Sequence, residues 1–114
     1  MRVVVTAEAV GVDAQMSQNF GRCAAFVFVD SETGAWDAEW NPAAGDAGGA
    51  GVRAAEFVIR GGAGAVITGR VGPKAYAVLE RGRSPVYRSP GGTVRDVVEA
   101  YRAGRLAVVS GANA

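Results

Sequence analysis

The order of the predicted elements is what most constrains the fold. Three strands come first, over residues 2–6, 24–30 and 35–40, with only a polar loop and a short turn between them. The first run is rich in β-branched residues and predicts a strand buried on both faces. The next two are separated by the turn Ser31–Gly34, which predicts an antiparallel hairpin.

Helices and strands alternate in the rest of the chain. Helices are predicted over 52–60, from Pro73 to the stop at Gly82, and from a capping box at Thr93 to Gly104, with strands over 65–68 and 84–88. Parallel strands need a crossover that covers a face of the sheet. The chain therefore predicts a three-layer α/β domain with one mixed sheet, ending in a tail that is a frayed strand or disordered.

The third strand alternates strictly between apolar and acidic residues. Trp36, Ala38 and Trp40 lie on one side, and Asp37 and Glu39 lie on the other. This alternation predicts an edge strand with one wet face. We expect the two tryptophans to pack as in an ordinary hairpin, although they are also candidates for a partner-binding surface.

Composition excludes several classes of protein. The 114 residues include one cysteine and no histidine, so there is no internal disulfide, no Cys/His zinc site and no imidazole-based catalytic triad. Hydrophobic residues are 49% and charged residues 20%, and the mean hydropathy is +0.12, which predicts a soluble single domain. Residues 1–30 contain no long apolar run behind a basic start, so we expect a cytoplasmic location and no membrane.

Charge is distributed unevenly along the chain. Residues 1–50 carry seven acidic and two basic residues, and residues 51–114 carry four acidic and ten basic residues. An anionic ligand should therefore prefer the second half. Nucleic acid is not expected as a partner, because the basic residues are not clustered with aromatic ones and the pI is about 7.9.

Three loops follow strands at the sheet edge where α/β proteins bind ligands, namely 8–22, 69–74 and 89–93, and the Gly-rich segment 45–51 is expected to close the same pocket. Helix N-termini and glycines favour an anion there. The added charges would come from Arg22, Arg53, Arg70 and Lys74. The alternative is that the glycines only make tight turns and the basic residues only face solvent.

Cys23 has two interpretations. In an exposed loop beside Arg22 its pKa would be lowered, and the thiolate would be a ligand for a soft metal. A single free cysteine is equally often a small core residue. Met16 offers a weaker thioether in the same loop, where packing is the simpler role.

Several motifs occur together in a characteristic order, namely Asn19-Phe20-Gly21-Arg22-Cys23, Asn41-Pro42-Ala43-Ala44, Gly48-Gly49-Ala50-Gly51, Val66-Ile67-Thr68-Gly69, Gly72-Pro73-Lys74-Ala75, Pro85-Val86-Tyr87 and Gly92-Thr93-Val94. In this order they resemble the dinitrogenase iron-molybdenum cofactor biosynthesis family over residues 1–106, which leaves 107–114 as a tail. The family includes nitrogenase accessory proteins and the orange protein, which holds a molybdenum–copper sulfide cluster. The resemblance implies a ribonuclease-H-like fold, whose five-stranded mixed sheet has the order 3-2-1-4-5, strand two antiparallel and helices on both faces.

The chain departs from this family at Asn19, where members often have a histidine that is thought to help bind the cluster. An amide is a poor ligand for a soft iron–sulfur metal. Binding would then depend on Cys23 as the metal ligand, on backbone N–H groups and basic side chains around an anionic cluster, or on both. The candidate binding residues are Asn19, Arg22, Cys23, Gly49, Gly51, Gly69, Arg70, Gly72 and Lys74.

By this resemblance we expect a non-enzymatic carrier of an iron–sulfur or molybdenum–iron–sulfur cluster or its precursor, working with a cofactor-assembly protein. One alternative is a regulatory or partner-binding module with no bound cluster. Another is a nuclease on the same scaffold, but such enzymes need a carboxylate on the first strand, and Arg2–Thr6 has none.

Overall fold

The computed structural model describes all residues, 1–114, and contains one mixed sheet of six strands in the order β3-β2-β1-β4-β5-β6. The strands are β1 Arg2–Ala7, β2 Ala25–Asp30, β3 Trp36–Trp40, β4 Ala65–Thr68, β5 Val86–Arg88 and β6 Ala107–Val108. The parallel core consists of β1, β4 and β5, and the other three strands run antiparallel to their neighbours. The predicted α/β class and mixed sheet are confirmed.

The expected five-strand count is wrong, because the C-terminal tail supplies a sixth strand. Ala107 pairs with Arg88 and Val108 with Tyr87 along the outer edge of β5. A two-residue strand carries no periodic signal, and its pairing depends on the free edge that β5 presents. Two residues of the tail, Ala107 and Val108, therefore belong to the sheet.

The three helices are α1 Ala50–Arg60, α2 Pro73–Arg81 and α3 Val94–Arg102. Helices α1 and α2 cover one face of the sheet, and α3 covers the other, as the alternation of side chains along each strand requires. On the first face Phe26, Phe28 and Val66 meet Val58 and Leu79. On the second, β-sheet valines meet the apolar stripe of α3 (Val94, Val97, Val98).

All three helices begin at the end of the sheet where the parallel strands finish, which we call the carboxyl edge. Because β4 and β5 are parallel to β1, their carboxyl ends lie together, and α2 and α3 start just beyond them. Trp40, the last residue of β3, pairs with Ala25, which pairs with Ala7 at the end of β1. Helix α1 therefore also starts at this carboxyl edge, beside α2.

The edge position of β3 agrees with the sequence prediction, but the tryptophans do not pack as expected. Trp36 is 48% exposed and Trp40 is 62% exposed. No helix covers β3 closely enough to bury the two tryptophans. No helix in the structure is long and apolar enough to span a membrane.

Candidate functional site

A cleft of about 340 Å³ opens at the carboxyl edge, between the first turns of α1 and α2 and the loop that enters β2. Three short segments line it: 20–22, 49–52 and 72–75. Two of the loops expected at the site, and the Gly-rich segment before α1, thus share one cavity. Five of the residues predicted from sequence lie in its wall: Arg22, Gly49, Gly51, Gly72 and Lys74.

Both helices that open into the cleft lack a capping side chain. Their N-cap residues are Gly49, with φ +72°, and Gly72, with an extended backbone. The N–H groups of Gly51 and Val52 in α1, and of Lys74 and Ala75 in α2, donate to no protein acceptor. Unpaired donors and the positive ends of two helix dipoles are the features that bind anions.

Helix α3, unlike α1 and α2, has a capped N-terminus. Its N-cap, Thr93, accepts a hydrogen bond from the N–H of Asp96, and the Asp96 carboxylate accepts one from the N–H of Thr93. This capping box satisfies the start of α3 internally. Of the three helices at this edge, only the two that open into the cleft have uncapped N-termini.

Glycines bring the walls of the cleft together. A Cβ on Gly21 would lie 2.9 Å from the Cα of Gly51, so the two backbones touch. A Cβ on Gly51 would lie 3.2 Å from the Cβ of Ala75, at the start of α2. Contact along Gly21, Gly51 and Ala75 therefore requires glycine at position 21 and leaves little room for a Cβ at position 51.

The charges in the cleft wall are positive. Lys74 is exposed and has no ion-pair or hydrogen-bond partner, and no carboxylate lines the cleft. Arg22 donates from Nη1 to the carbonyl oxygen of Asp46 at 2.5 Å, and Arg53 forms an ion pair with the Asp46 carboxylate. The carbonyl of Asp46 thereby holds Arg22 in the cleft wall, and Arg53 offsets the negative charge of the Asp46 carboxylate.

Three other predicted residues lie next to the cleft without lining it. Gly69 is buried, and a Cβ there would lie 2.7 Å from the carbonyl oxygen of Gln18. Asn19 forms a parallel bridge with Arg70, whose carbonyl accepts a hydrogen bond from the N–H of Phe20 at 2.9 Å. These contacts join the first loop to the loop between β4 and α2, and the Arg70 side chain faces a separate depression beside the C-terminal tail.

The third loop expected at the site, 89–93, does not line the cleft. The carbonyl of Gly92 accepts a hydrogen bond from the N–H of Met16, and that of Pro90 accepts one from Gln18 Nε2. This loop leads into α3 on the opposite face of the sheet. It therefore packs on the first loop instead of facing a ligand.

Cys23 lies in the core, which confirms the second of its two interpretations; the first, an exposed loop with a lowered pKa, is wrong. The residue is 1% exposed, and burial raises the pKa of its thiol to about 12. Cys23 does not line the cleft, so its sulfur is not presented to a ligand there. Nowhere does the structure bring together three or more His, Cys, Asp or Glu side chains that could hold a metal ion.

Asn41 belongs to one of the sequence motifs, but its structural role was not predicted. Its Nδ2 donates to the carbonyl oxygens of Gly21 and Cys23, both at 3.0 Å, and its Oδ1 accepts from the N–H of Ala43 at 2.9 Å. The buried amide thus holds the loop that carries Arg22. The Asn-Pro pair at 41–42 signals a turn, but nothing in the sequence shows that the amide reaches residues eighteen and twenty positions earlier.

Comparisons with known proteins agree with this architecture. The model of the family described as dinitrogenase iron-molybdenum cofactor matches residues 1–104. The apo form of the orange protein from Desulfovibrio gigas is 37% identical, with a TM-score of 0.95, over 99% of this chain and 96% of that one. A Thermotoga protein described as NifB-like is 28% identical, with a TM-score of 0.86, over 99% and 97% of the two chains. An uncharacterised protein of Methanocaldococcus jannaschii is 28% identical over 95 residues, 81% of this chain and 80% of its own length.

Proposed function

The chain belongs to the dinitrogenase iron-molybdenum cofactor family, and from this membership we propose that it carries an anionic metal–sulfur cluster, or a precursor of one, in the cleft between α1 and α2. The cargo is an iron–sulfur or molybdenum–sulfur species. The protein's role is to hold and transfer it rather than to catalyse a reaction.

The observation that carries this proposal is the meeting of two uncapped helix N-termini in one cleft that also contains Lys74 and Arg22 and no carboxylate. Each feature alone is common at protein surfaces. Together they form a cradle of N–H donors and positive charge. Leaving helix ends uncapped costs stability, which is understandable if a ligand supplies the missing acceptors.

The donor set fits an anionic cluster held by hydrogen bonds and charge better than one held by metal–protein bonds. The only thiol is buried in the core and does not line the cleft, and no imidazole exists in the chain. Sulfide ligands at the surface of a cluster can instead accept hydrogen bonds from the N–H groups of Gly51, Val52, Lys74 and Ala75. Of the two binding modes left open by the sequence, we therefore propose the second, without Cys23.

The cleft also suits a binding role in its size and its lining. Its volume of about 340 Å³ lies at the lower end of small-ligand pockets, about 300–1,000 Å³. No Asp, Glu, Cys or Tyr lines it, so the wall offers no conventional general base near neutral pH. This is why we propose a carrier rather than an enzyme.

The direct test is anaerobic reconstitution with tetrathiomolybdate, alone and with copper(I), and in parallel with iron and sulfide. After desalting, the protein should retain visible absorbance with a molar ratio of metal to protein that saturates. Failure of the wild-type chain to retain any of these species would contradict the proposal.

A charge-reversal pair locates the binding site. Lys74→Glu should weaken binding by about tenfold or more, because it reverses a charge in the cleft wall. Arg105→Glu is the matched control, since it makes the same change in net charge at an exposed residue that does not line the cleft. Equal effects of the two variants would mean that only overall charge matters.

One observation favours the second candidate, a partner-binding module. Trp36 and Trp40 are exposed on an edge strand whose outer backbone groups have no partner strand. Such a strand can accept a strand from another protein. The double variant Trp36→Ser/Trp40→Ser should leave tetrathiomolybdate binding unchanged if the cleft binds it. The second candidate would be favoured if the wild-type chain bound no cluster but bound a stoichiometric protein partner that the double variant lost.

A further inference from the structure

The C-terminal tail wraps around the outer edge of β5. Leu106 packs against the core on the α3 face, and Val109 packs against the core on the α1 and α2 face. The N–H of Val109 donates to the carbonyl of Val86 at 2.7 Å, and Tyr76 Oη donates to the carbonyl of Val109 at 3.3 Å. The tail thus reaches α2 from the side opposite α1.

The tail ends on the loop that forms the cleft wall. Asn113 makes three hydrogen bonds there: its backbone N–H donates to the Val71 carbonyl at 3.1 Å, its Nδ2 donates to the Gly69 carbonyl at 3.0 Å, and its Oδ1 accepts from the Val71 N–H at 2.8 Å. The Val71 side chain is fully buried. One side chain and its own backbone therefore satisfy both polar groups of Val71.

The position of this loop determines where α2 begins. Val71 immediately precedes Gly72, the N-cap of α2, and the free N–H groups of Lys74 and Ala75 follow within one turn. On its other side the loop is held by Phe20 and Gln18 through the backbone of Arg70. Asn113 is thus the second of two clamps on the segment that aims the N-terminus of α2 at the cleft.

We infer that Asn113 is a positioning residue for ligand binding, acting through Val71 and Gly69 on the N-terminus of α2. This inference rests on the proposed function for its binding readout. It also has a readout of its own, the exchange rate of the Val71 amide proton. We call the three hydrogen bonds of Asn113 to Val71 and Gly69 the latch. Ligand binding and the latch are thermodynamically coupled, so a bound anion should also slow Val71 exchange in the wild-type chain.

The test compares Asn113→Ala with wild type. The variant removes both side-chain hydrogen bonds, and Val71 N–H exchange measured by NMR should accelerate by about tenfold. Tetrathiomolybdate binding, measured by titration well below the melting temperature, should weaken about fivefold. This corresponds to the loss of about 1 kcal/mol of binding free energy.

Two matched controls separate positioning from general stability. Tyr76→Phe removes another tail contact but leaves the Asn113 latch intact, and it should change neither Val71 exchange nor binding appreciably. Ser84→Ala removes a buried hydrogen bond to the Ala63 carbonyl, near the amino ends of β4 and β5 and away from the cleft. This variant should lower the melting temperature without changing affinity.

The outcomes are distinct. Faster Val71 exchange with unchanged affinity in Asn113→Ala would overturn the positioning role while leaving the proposed function intact. If wild type retains none of the metal–sulfur species used in the reconstitution, the proposed function fails. The latch is then decided by exchange alone, and unchanged Val71 protection in the variant would overturn it.

Discussion

Gly21 and Gly51 touch backbone to backbone, with the Cα of Gly51 only 2.9 Å from the point where a Cβ on Gly21 would lie. Gly21 also has φ +97°, a region that residues with a side chain rarely adopt. The contact joins the loop carrying Arg22 to the first turn of α1. It therefore determines both the width of the cleft and the distance of Arg22 from the free N–H groups.

Gly21→Ala should destabilise the protein by about 2–3 kcal/mol, because backbone strain and a backbone clash add together. Urea denaturation followed by circular dichroism measures the loss. Gly48→Ala is the control: its Cβ would meet nothing within 4 Å, and its φ is not positive. A cost for Gly21→Ala no larger than that for Gly48→Ala would show that the two backbones can separate easily.

Gly72→Asp should raise stability and lower anion affinity at the same time. Gly72 has the extended backbone of a good N-cap, and a Cβ there meets nothing within 4 Å. The new carboxylate would accept the free N–H groups of α2 and stabilise the fold by about 1 kcal/mol. It would also occupy the donors and the positive field that we assign to the ligand.

Gly72→Ser separates the two effects, since it caps the helix without adding charge. We expect a smaller gain in stability and a smaller loss of affinity, measured by urea denaturation and tetrathiomolybdate titration. Unchanged affinity in both variants would exclude the N-terminus of α2 from the site.

Cys23 should behave as a core residue. Its thiol should react slowly with an alkylating reagent at pH 8 in the folded protein and rapidly in urea, because burial raises its pKa from 9.0 to about 12. Cys23→Ala should leave anion affinity within about twofold of wild type, a change of less than 0.5 kcal/mol. A large loss of affinity would return Cys23 to the site.

The same pKa shift predicts a pH dependence of stability. Below pH 9 the thiol is protonated in both the folded and unfolded states and contributes no slope. Between pH 9 and about 12 only the unfolded state loses the proton, so stability falls as pH rises, by up to about 1.4 kcal/mol per pH unit. The difference between wild type and Cys23→Ala over this range isolates the effect from lysine and tyrosine titration.

A chain of buried hydroxyl groups connects β1 and β4 to the first loop. Thr6 Oγ1 donates to the Ser17 carbonyl at 2.7 Å and lies 2.8 Å from Thr68 Oγ1. Since Thr6 has a single hydroxyl proton, Thr68 must be the donor in the second bond. Hydrogen-bond donation therefore runs from the Thr68 hydroxyl to the Thr6 hydroxyl and from there to the Ser17 carbonyl.

This direction predicts unequal costs. Thr6→Val should cost about 2 kcal/mol, because it leaves the Thr68 hydroxyl without an acceptor and removes the side-chain donor to Ser17, whereas Thr68→Val should cost about 1 kcal/mol or less. Urea denaturation of both variants measures the difference. The reverse order would contradict the assigned direction.

Parts of the site could be predicted from sequence because they depend on local signals. Pro73 after Gly72 marks the start of α2, and the Gly-rich segment 45–51 predicted a start of α1 at residue 52, where the structure has Ala50, so both helix starts could be placed approximately from the chain alone. Their meeting in one cleft follows from the predicted alternation of strands and helices. The sixth strand could not be predicted, because two residues have no period and its pairing depends on where β5 leaves a free edge.

The amino-acid order by itself determined the first five strands, the approximate helix starts, the mixed sheet and the family, since these depend on the spacing of apolar residues and on residues with special backbone preferences. Only the tertiary structure decided that Cys23 is buried, that the loop at 89–93 turns away from the cleft, and that Asn113 reaches Val71. The physical reason is that burial and hydrogen bonding between distant segments depend on how whole elements pack against one another. That packing is a property of the assembled sheet and helices and leaves no pattern in any short stretch of sequence.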